Sequence, residues 1–163
     1  MRVYGVTGWK NAGKTGLVER LVTEITGRGL SVSTVKHAHH AVDVDQPGTD
    51  SHRHREAGAS EVLLASGKRI AVMQELRGAP EPPLADLLTR LLPVDLVLIE
   101  GFKQESHPKI EAFRAEAGNA LMAGENSTIR AVASDTPLQV QVPVFDLNNT
   151  AAVADFILKE VGL

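Results

Sequence analysis

Eight consecutive residues, Gly8-Trp9-Lys10-Asn11-Ala12-Gly13-Lys14-Thr15, follow the pattern G-x-x-x-x-G-K-T of a phosphate-binding loop. The residue types suit that chemistry. Gly8 and Gly13 let the backbone bend where a Cβ would clash, so that several N–H groups converge on one anion. The loop residues Lys10, Asn11 and Ala12, with Gly16 just beyond, would surround the phosphates. A helix starting near Lys14 adds a partial positive charge at its N-terminus. The Lys14 ammonium can reach the β- and γ-phosphates, and the Thr15 hydroxyl can ligate Mg²⁺.

The motif needs a strand before it and a helix after it, and both are legible. Met1 to Thr7 is a short apolar stretch broken by Gly5, and Leu17, Val18, Leu21, Val22 and Ile25 recur at helical spacing. Gly27 or Gly29 ends that helix. Leu30 to Lys36 alternates and is β-branched, so it reads as a second strand, parallel to the first in a βαβ unit. Asp95-Leu96-Val97-Leu98-Ile99-Glu100-Gly101 reads as a central strand buried on both faces. Its end carries Glu100 where a metal-associated or water-orienting acid would act, with Gly101 beside it.

The remaining elements are a hairpin from Glu61 to Gln74 turning at Gly67-Lys68, and a helix with an apolar stripe at Leu84, Leu87, Leu88, Leu91 and Leu92, ended by Pro93. Strands follow at 109–114, at 129–134 ending in Asp135, and at 143–146. A final helix capped by Asn148 or Asn149 buries Val153, Phe156, Ile157 and Val161. The pattern predicts one α/β domain over residues 1–163, a P-loop NTPase-like three-layer fold whose mostly parallel sheet carries an antiparallel hairpin.

Bulk properties narrow the function. A net charge of −3 and a pI near 6.1 give no basic character arguing for nucleic acid. The absence of cysteine excludes disulfides, thiolate metal sites and a cysteine nucleophile. The N-terminus reads as a core strand rather than a signal peptide, and no apolar run approaches a membrane helix. A cytoplasmic protein is the expectation.

Residues 37–55 stand apart. They hold five of the six histidines, His37, His39, His40, His52 and His54, with Asp43, Asp45, Asp50, Arg53 and Arg55. Gln46 to Asp50 is turn chemistry, and Thr49-Asp50-Ser51 offers N-caps for a short helix through Arg55. If the segment faces the γ-phosphate, Asp45 is the candidate for a switch-like acid reaching Mg²⁺ through water. His37, His39, Arg53 and Arg55 would give donors to a second anion, with Arg suited to phosphate by its planar fork. His37, His39 and His40 also suit Zn²⁺ or Ni²⁺. Contact with a partner protein, or simple solvation, are further readings.

These residues together resemble the molybdopterin-guanine dinucleotide biosynthesis protein B (MobB) family. The resemblance runs through Gly8 to Thr15, Thr34 to His40, Asp45 to Ser51, Arg53 to Ala59, Leu98 to Lys103 and Ala133-Ser134-Asp135. It implies a dimeric GTP-binding protein using Mg²⁺, a weak accessory GTPase. Such a protein acts beside the nucleotidyltransferase that attaches GMP to molybdopterin. The second anion would then be the phosphate of molybdopterin or its guanine dinucleotide. The common guanine-reading pattern N-K-x-D is missing, so guanine preference rests on the family. Asp135 is the candidate reader, because a carboxylate accepts from both guanine N1–H and the 2-amino group. Lys10 lies one place away from the extra lysine of deviant Walker-A ATPases and is not assigned that role. Two other classes compete: a P-loop small-molecule kinase or ligase, and a His-rich metallochaperone module.

Overall fold

The computed structural model describes residues 1–38 and 42–163 of the chain. In chain order the elements are β1 (Arg2–Thr7), α1 (Lys14–Gly27), β2 (Val32–Lys36), α2 (Asp50–Glu56), β3 (Glu61–Ala65) and β4 (Ile70–Gln74). They continue with α3 (Leu84–Thr89), β5 (Leu96–Glu100), β6 (Lys109–Phe113), β7 (Ile129–Ser134), β8 (Val144–Asp146) and α4 (Thr150–Val161). They form two compact units, residues 1–37 with 88–163, and residues 38–87.

The first unit is built on a six-stranded sheet of order β2-β5-β1-β6-β7-β8. Every pairing in it is parallel. Side chains alternate across a strand, and here the alternation sorts two kinds of surface. Tyr4, Val6, Leu96, Leu98, Ile110, Ala112, Ala131 and Ala133 share a core with Leu17, Leu21 and Ile25 of α1 and Val153 and Ile157 of α4. Each of those helix side chains is fully buried, a gain of about 1.5–3 kcal/mol apiece for the larger ones. Asn149 caps α4 by accepting from Ala152 N–H at 3.2 Å.

Lys109 and Glu111, which alternate with Ile110 and Ala112 along β6, are charged and yet fully buried. The Lys109 ammonium donates to His107 O at 2.9 Å, to Thr128 Oγ1 at 3.0 Å and to Glu105 O. Glu111 accepts from Met122 N–H at 3.0 Å and from Ala123 N–H at 2.8 Å. These two side chains tie down the chain at 105–107 and 122–128, which closes over this part of the sheet. Burial alone pushes the Glu111 carboxyl above its ordinary pKa, and the two peptide N–H groups oppose that.

β1 and β2 are both parallel strands of one sheet, as the βαβ reading expects, and β5 lies between them. The central strand was drawn inward because Leu96 to Ile99 are apolar on both faces and each is fully buried. The helix expected through Leu92 stops at Thr89, and Leu92 is 81% exposed. Pro93 disfavours a helical residue before it, so the last part of the apolar stripe is not helical.

The second unit contains α2 and the β3–β4 hairpin. The hairpin pairs antiparallel with Leu63 opposite Val72, and its turn closes with Ser66 N–H donating to Arg69 O at 2.9 Å. Thr49 caps α2 by accepting from His52 N–H.

Candidate functional site

The loop after β1 takes a backbone shape that few residues tolerate. Gly8, Asn11 and Gly13 all have positive φ, at 144°, 64° and 89°. A Cβ at Gly8 would stand 2.5 Å from the Ala112 carbonyl oxygen of β6, so glycine is required there by contact as well as by conformation. Gly13 is the N-cap of α1 and offers no side-chain cap. The free N–H groups at the start of α1 are therefore left to an external acceptor, which favours an anion. The Lys14 ammonium folds back over the loop and donates to Trp9 O at 2.6 Å.

The carboxyl end of β5 delivers Glu100 to this loop. Thr15 Oγ1 donates to Glu100 Oε1 at 3.0 Å, and Lys36 at the end of β2 reaches the same oxygen at 3.3 Å. A hydroxyl and a carboxylate so placed are oxygen donors of the kind Mg²⁺ takes. Burial lowers the Lys14 pKa. Glu100 acts in the opposite direction, while Lys103 and Lys36 lower it further. The loop is thus surrounded by three ammonium groups and one carboxylate, an electrostatic preference for a polyanion.

Three residues at the rim carry signals that the sequence reading did not assign. The Lys103 ammonium sits over the Trp9 ring, 4.1 Å from its centre, and Trp9 Nε1 is anchored on Ala120 O at 2.8 Å. Lys36 ends β2, within the Thr34–His40 stretch, where no role was assigned to it. Arg114 follows β6 and lies against Gly13. Lys10 is exposed beside the loop, Ala12 is buried in it, and Gly16 falls in the first turn of α1. Gly101 turns with φ 97°, a Cβ there standing 3.0 Å from that of His37. The His37 ring stacks on Phe102, with ring centres 4.6 Å apart.

Further along the same edge of the sheet, Asp135 follows β7. Its Oδ1 accepts from Ala115 N–H at 3.0 Å, which holds the short 3₁₀ turn Ala115–Ala117. Asp135, Thr136, Pro137, Phe145 and Asp146 line a cleft of about 290 Å³.

The family model for MobB, molybdopterin guanine dinucleotide synthesis protein B, matches residues 3–135. The chain belongs to the MobB family. It is 42% identical over 158 residues to a molybdopterin-guanine dinucleotide biosynthesis adapter protein of Haemophilus influenzae, covering 95% of this chain and 86% of that one. An adapter protein of the same name from Escherichia coli is 39% identical over 156 residues, covering 93% and 88%. The crystal structure of a MobB protein homolog from Bacillus stearothermophilus matches with a TM-score of 0.75 and 30% identity, covering 99% of both chains. The parallel sheet, the loop and the hairpin of this chain are those of a MobB-type P-loop fold.

The second unit of this MobB-family chain holds the remaining candidates. The Arg55 guanidinium meets Asp43 at 2.8 Å, Asp45 at 3.4 Å and Glu75 at 2.7 Å. Asp43 and then Glu75 raise its pKa, and Arg55 in turn holds Asp43 well below the ordinary carboxylate range. Asp45 Oδ1 accepts from Thr49 Oγ1 at 3.0 Å, Ser51 Oγ at 2.9 Å and Gln46 N–H at 3.1 Å. In this unit Asp45 and Arg55 therefore organise the turn into α2 and fasten it to β4. Arg55, expected to offer donors to a second anion, has them engaged by three carboxylates. Arg53 is exposed, with a long 3.9 Å contact to Asp50, and lines a hollow of about 490 Å³ with His52, His54 and Glu56.

His37 belongs to the first unit and Arg53 and Arg55 to the second. His39 and His40 lie outside the described residues, so the three-histidine metal reading does too. Among the described residues no group of three or more His, Cys, Asp or Glu side chains is arranged to hold a metal ion. None of the described helices is long and apolar enough to cross a membrane.

Proposed function

We propose that this protein is a GTP-binding adapter with weak GTPase activity, acting in the formation of molybdopterin guanine dinucleotide beside a nucleotidyltransferase. The observation that carries the reading is the Thr15–Glu100 hydrogen bond beside a loop that carries Lys14 and leaves the start of α1 without a side-chain cap. The MobB-family membership and the adapter names of the relatives supply the pathway.

In this reading the loop N–H groups and Lys14 bind the β- and γ-phosphates, and Thr15 and Glu100 hold Mg²⁺ directly or through water. Mg²⁺ when bound neutralises phosphate charge. Glu100 also orients the attacking water. Lys36 pairs with the same Glu100 oxygen that Thr15 meets, and Asp135 reads the guanine from its 290 Å³ cleft. Asp45 remains the candidate switch acid, and His37, His39 and Arg53 the candidate donors to the molybdopterin phosphate. With Arg55 engaged by carboxylates, its part is to support Asp45 and α2.

The protein works as a homodimer in this reading. The β3–β4 hairpin supports that, because Leu63 and Val72 face each other across it and are 61% and 55% exposed. An apolar pair so placed favours a covering partner.

Titrating the purified protein with GTP and ATP in the presence of Mg²⁺, with turnover measured alone and with the nucleotidyltransferase added, tests the reading. GTP binding with slow turnover is expected. An inability to bind either nucleotide would sink it.

A further inference from the structure

The phosphate-binding loop has two unlike flanks. β1, which leads into it, lies between β5 and β6. On the β5 side are Glu100, Thr15 and Lys36, joined at 3.0 and 3.3 Å. On the other side lie the carboxyl ends of β6, β7 and β8, with the cleft beside Asp135. A nucleoside triphosphate crossing the loop with its metal-bearing end at Glu100 must carry its base toward β6 to β8. Whatever cation stands next to the loop on that side is placed at the α-phosphate.

Arg114 is that cation. It is the first residue after β6, and its guanidinium lies against the loop. A Cβ on Gly13 would stand 3.1 Å from Arg114 Nε and 3.7 Å from Nη2. Nε is buried and has no hydrogen-bond partner, an arrangement that is costly unless an acceptor arrives. Nη1 reaches Glu116, an exposed side chain, at 3.4 Å, a weak contact easily exchanged for a phosphate. The next peptide is fixed from below, since Asp135 Oδ1 accepts from Ala115 N–H at 3.0 Å. An arginine with a held backbone and a buried, unpartnered Nε beside a phosphate loop is suited to bidentate phosphate binding.

We propose that Arg114 is a nucleotide-binding residue that contacts the α-phosphate on the base side of the loop. This rests on the nucleotide reading given above. The contact is independent of the γ-phosphate, so it retains GDP as well as GTP and keeps the nucleotide's base end in register with Asp135.

Calorimetric titration of the full chain with GTP, GDP and inorganic tripolyphosphate, each with Mg²⁺, tests it. Wild type is compared with Arg114→Ala, Arg114→Lys and Lys14→Ala, and a urea melt of each variant checks folding. Arg114→Ala should weaken all three ligands by a similar factor of about ten or more. Arg114→Lys should recover part of the loss. Should Arg114→Ala not fold, Arg114→Gln removes the charge while keeping most of the stem, and the same loss is expected. Unchanged affinities overturn the proposal. Loss for GTP alone would put Arg114 at the γ-phosphate, and loss for the nucleotides but not for tripolyphosphate would put it on the base; either overturns the α-phosphate contact. If wild type binds and Lys14→Ala does not, the nucleotide reading stands whatever Arg114 does. Equal binding by wild type and Lys14→Ala would bring down that reading and this proposal with it.

Discussion

Thr15 Oγ1 donates to Glu100 Oε1 at 3.0 Å. The two residues are 85 positions apart in the chain, and they meet because β1 and β5 are neighbours whose carboxyl ends coincide, Val6 pairing with Glu100.

Glu100→Gln keeps the shape and the acceptor for Thr15 but removes the charge. GTP binding should survive within about tenfold, while turnover falls by about a hundredfold or more if Glu100 orients the attacking water. Paired binding and turnover measurements decide this, and an unchanged rate would take Glu100 out of the chemistry.

Lys14→Ala removes the ammonium that now rests on Trp9 O. If Lys14 binds the β- and γ-phosphates as proposed, nucleotide affinity should drop at least a hundredfold with the loss of that charge-assisted contact. Trp9 is the single tryptophan of the chain and lies in the loop, so its fluorescence on GTP addition reports the binding. A folded Lys14→Ala variant with wild-type affinity would contradict the phosphate-loop reading.

The proposed guanine-reading role of Asp135 can be separated from its structural contact. Its Oδ1 holds Ala115 N–H, and Asp135→Asn retains a carbonyl oxygen there. The fold should therefore persist while the GTP-over-ATP preference narrows. Competition binding measures the preference, and one that stays at the wild-type ratio assigns Asp135 a purely structural task.

Arg53 and Arg55 should behave oppositely. Arg55→Ala frees Asp43, Asp45 and Glu75 from their shared cation, so thermal stability should fall. Arg53→Ala disturbs one long, exposed contact and should leave the melting temperature within a degree or two. If Arg53 serves the second anion, that variant loses molybdopterin affinity at unchanged GTP affinity. Separate titrations with the two ligands distinguish this from loss of a partner interaction alone.

His107 predicts a pH dependence. Both ring nitrogens are buried without hydrogen-bond partners, and a Cβ at Gly5 would stand 2.6 Å from Nε2. Burial, and then the Lys109 charge, pull its pKa from 6.5 down to about 4. Between those values the unfolded chain takes up a proton that the folded chain refuses. The stability contribution is thus present above pH 6.5 and is lost as pH falls toward 4. The loss should be of the order of 1–3 kcal/mol, allowing for partial exposure. Urea melts across this range should show a shallower slope for His107→Leu than for wild type.

Much of this protein is determined locally. The glycines, Lys14 and Thr15 of the loop are contiguous, and the strand and helix that frame them are set by apolar periodicity within the same 27 residues. The unbroken apolar run of β5 marked a central strand, the Gly67-Lys68 turn marked the hairpin, and Thr49 and Asn149 cap helices as their side-chain chemistry requires. What the sequence could not specify is which strand lies beside which. Alternation tells a side chain's face but not its neighbour, so a βαβ reading did not reveal that β5 separates β1 from β2. The same ambiguity left open which way Lys109 and Glu111 face; both are buried, satisfied by carbonyls, a threonine hydroxyl and peptide N–H groups. Arg55 was legible as a cation, but its engagement with Asp43 and Glu75 depends on residues 12 and 20 positions away closing on it. Arg114 carried no motif at all. Only the pairing of β6 beside β1 brings its guanidinium against Gly13, because contacts of that kind arise from packing between strands rather than from the order of residues along them.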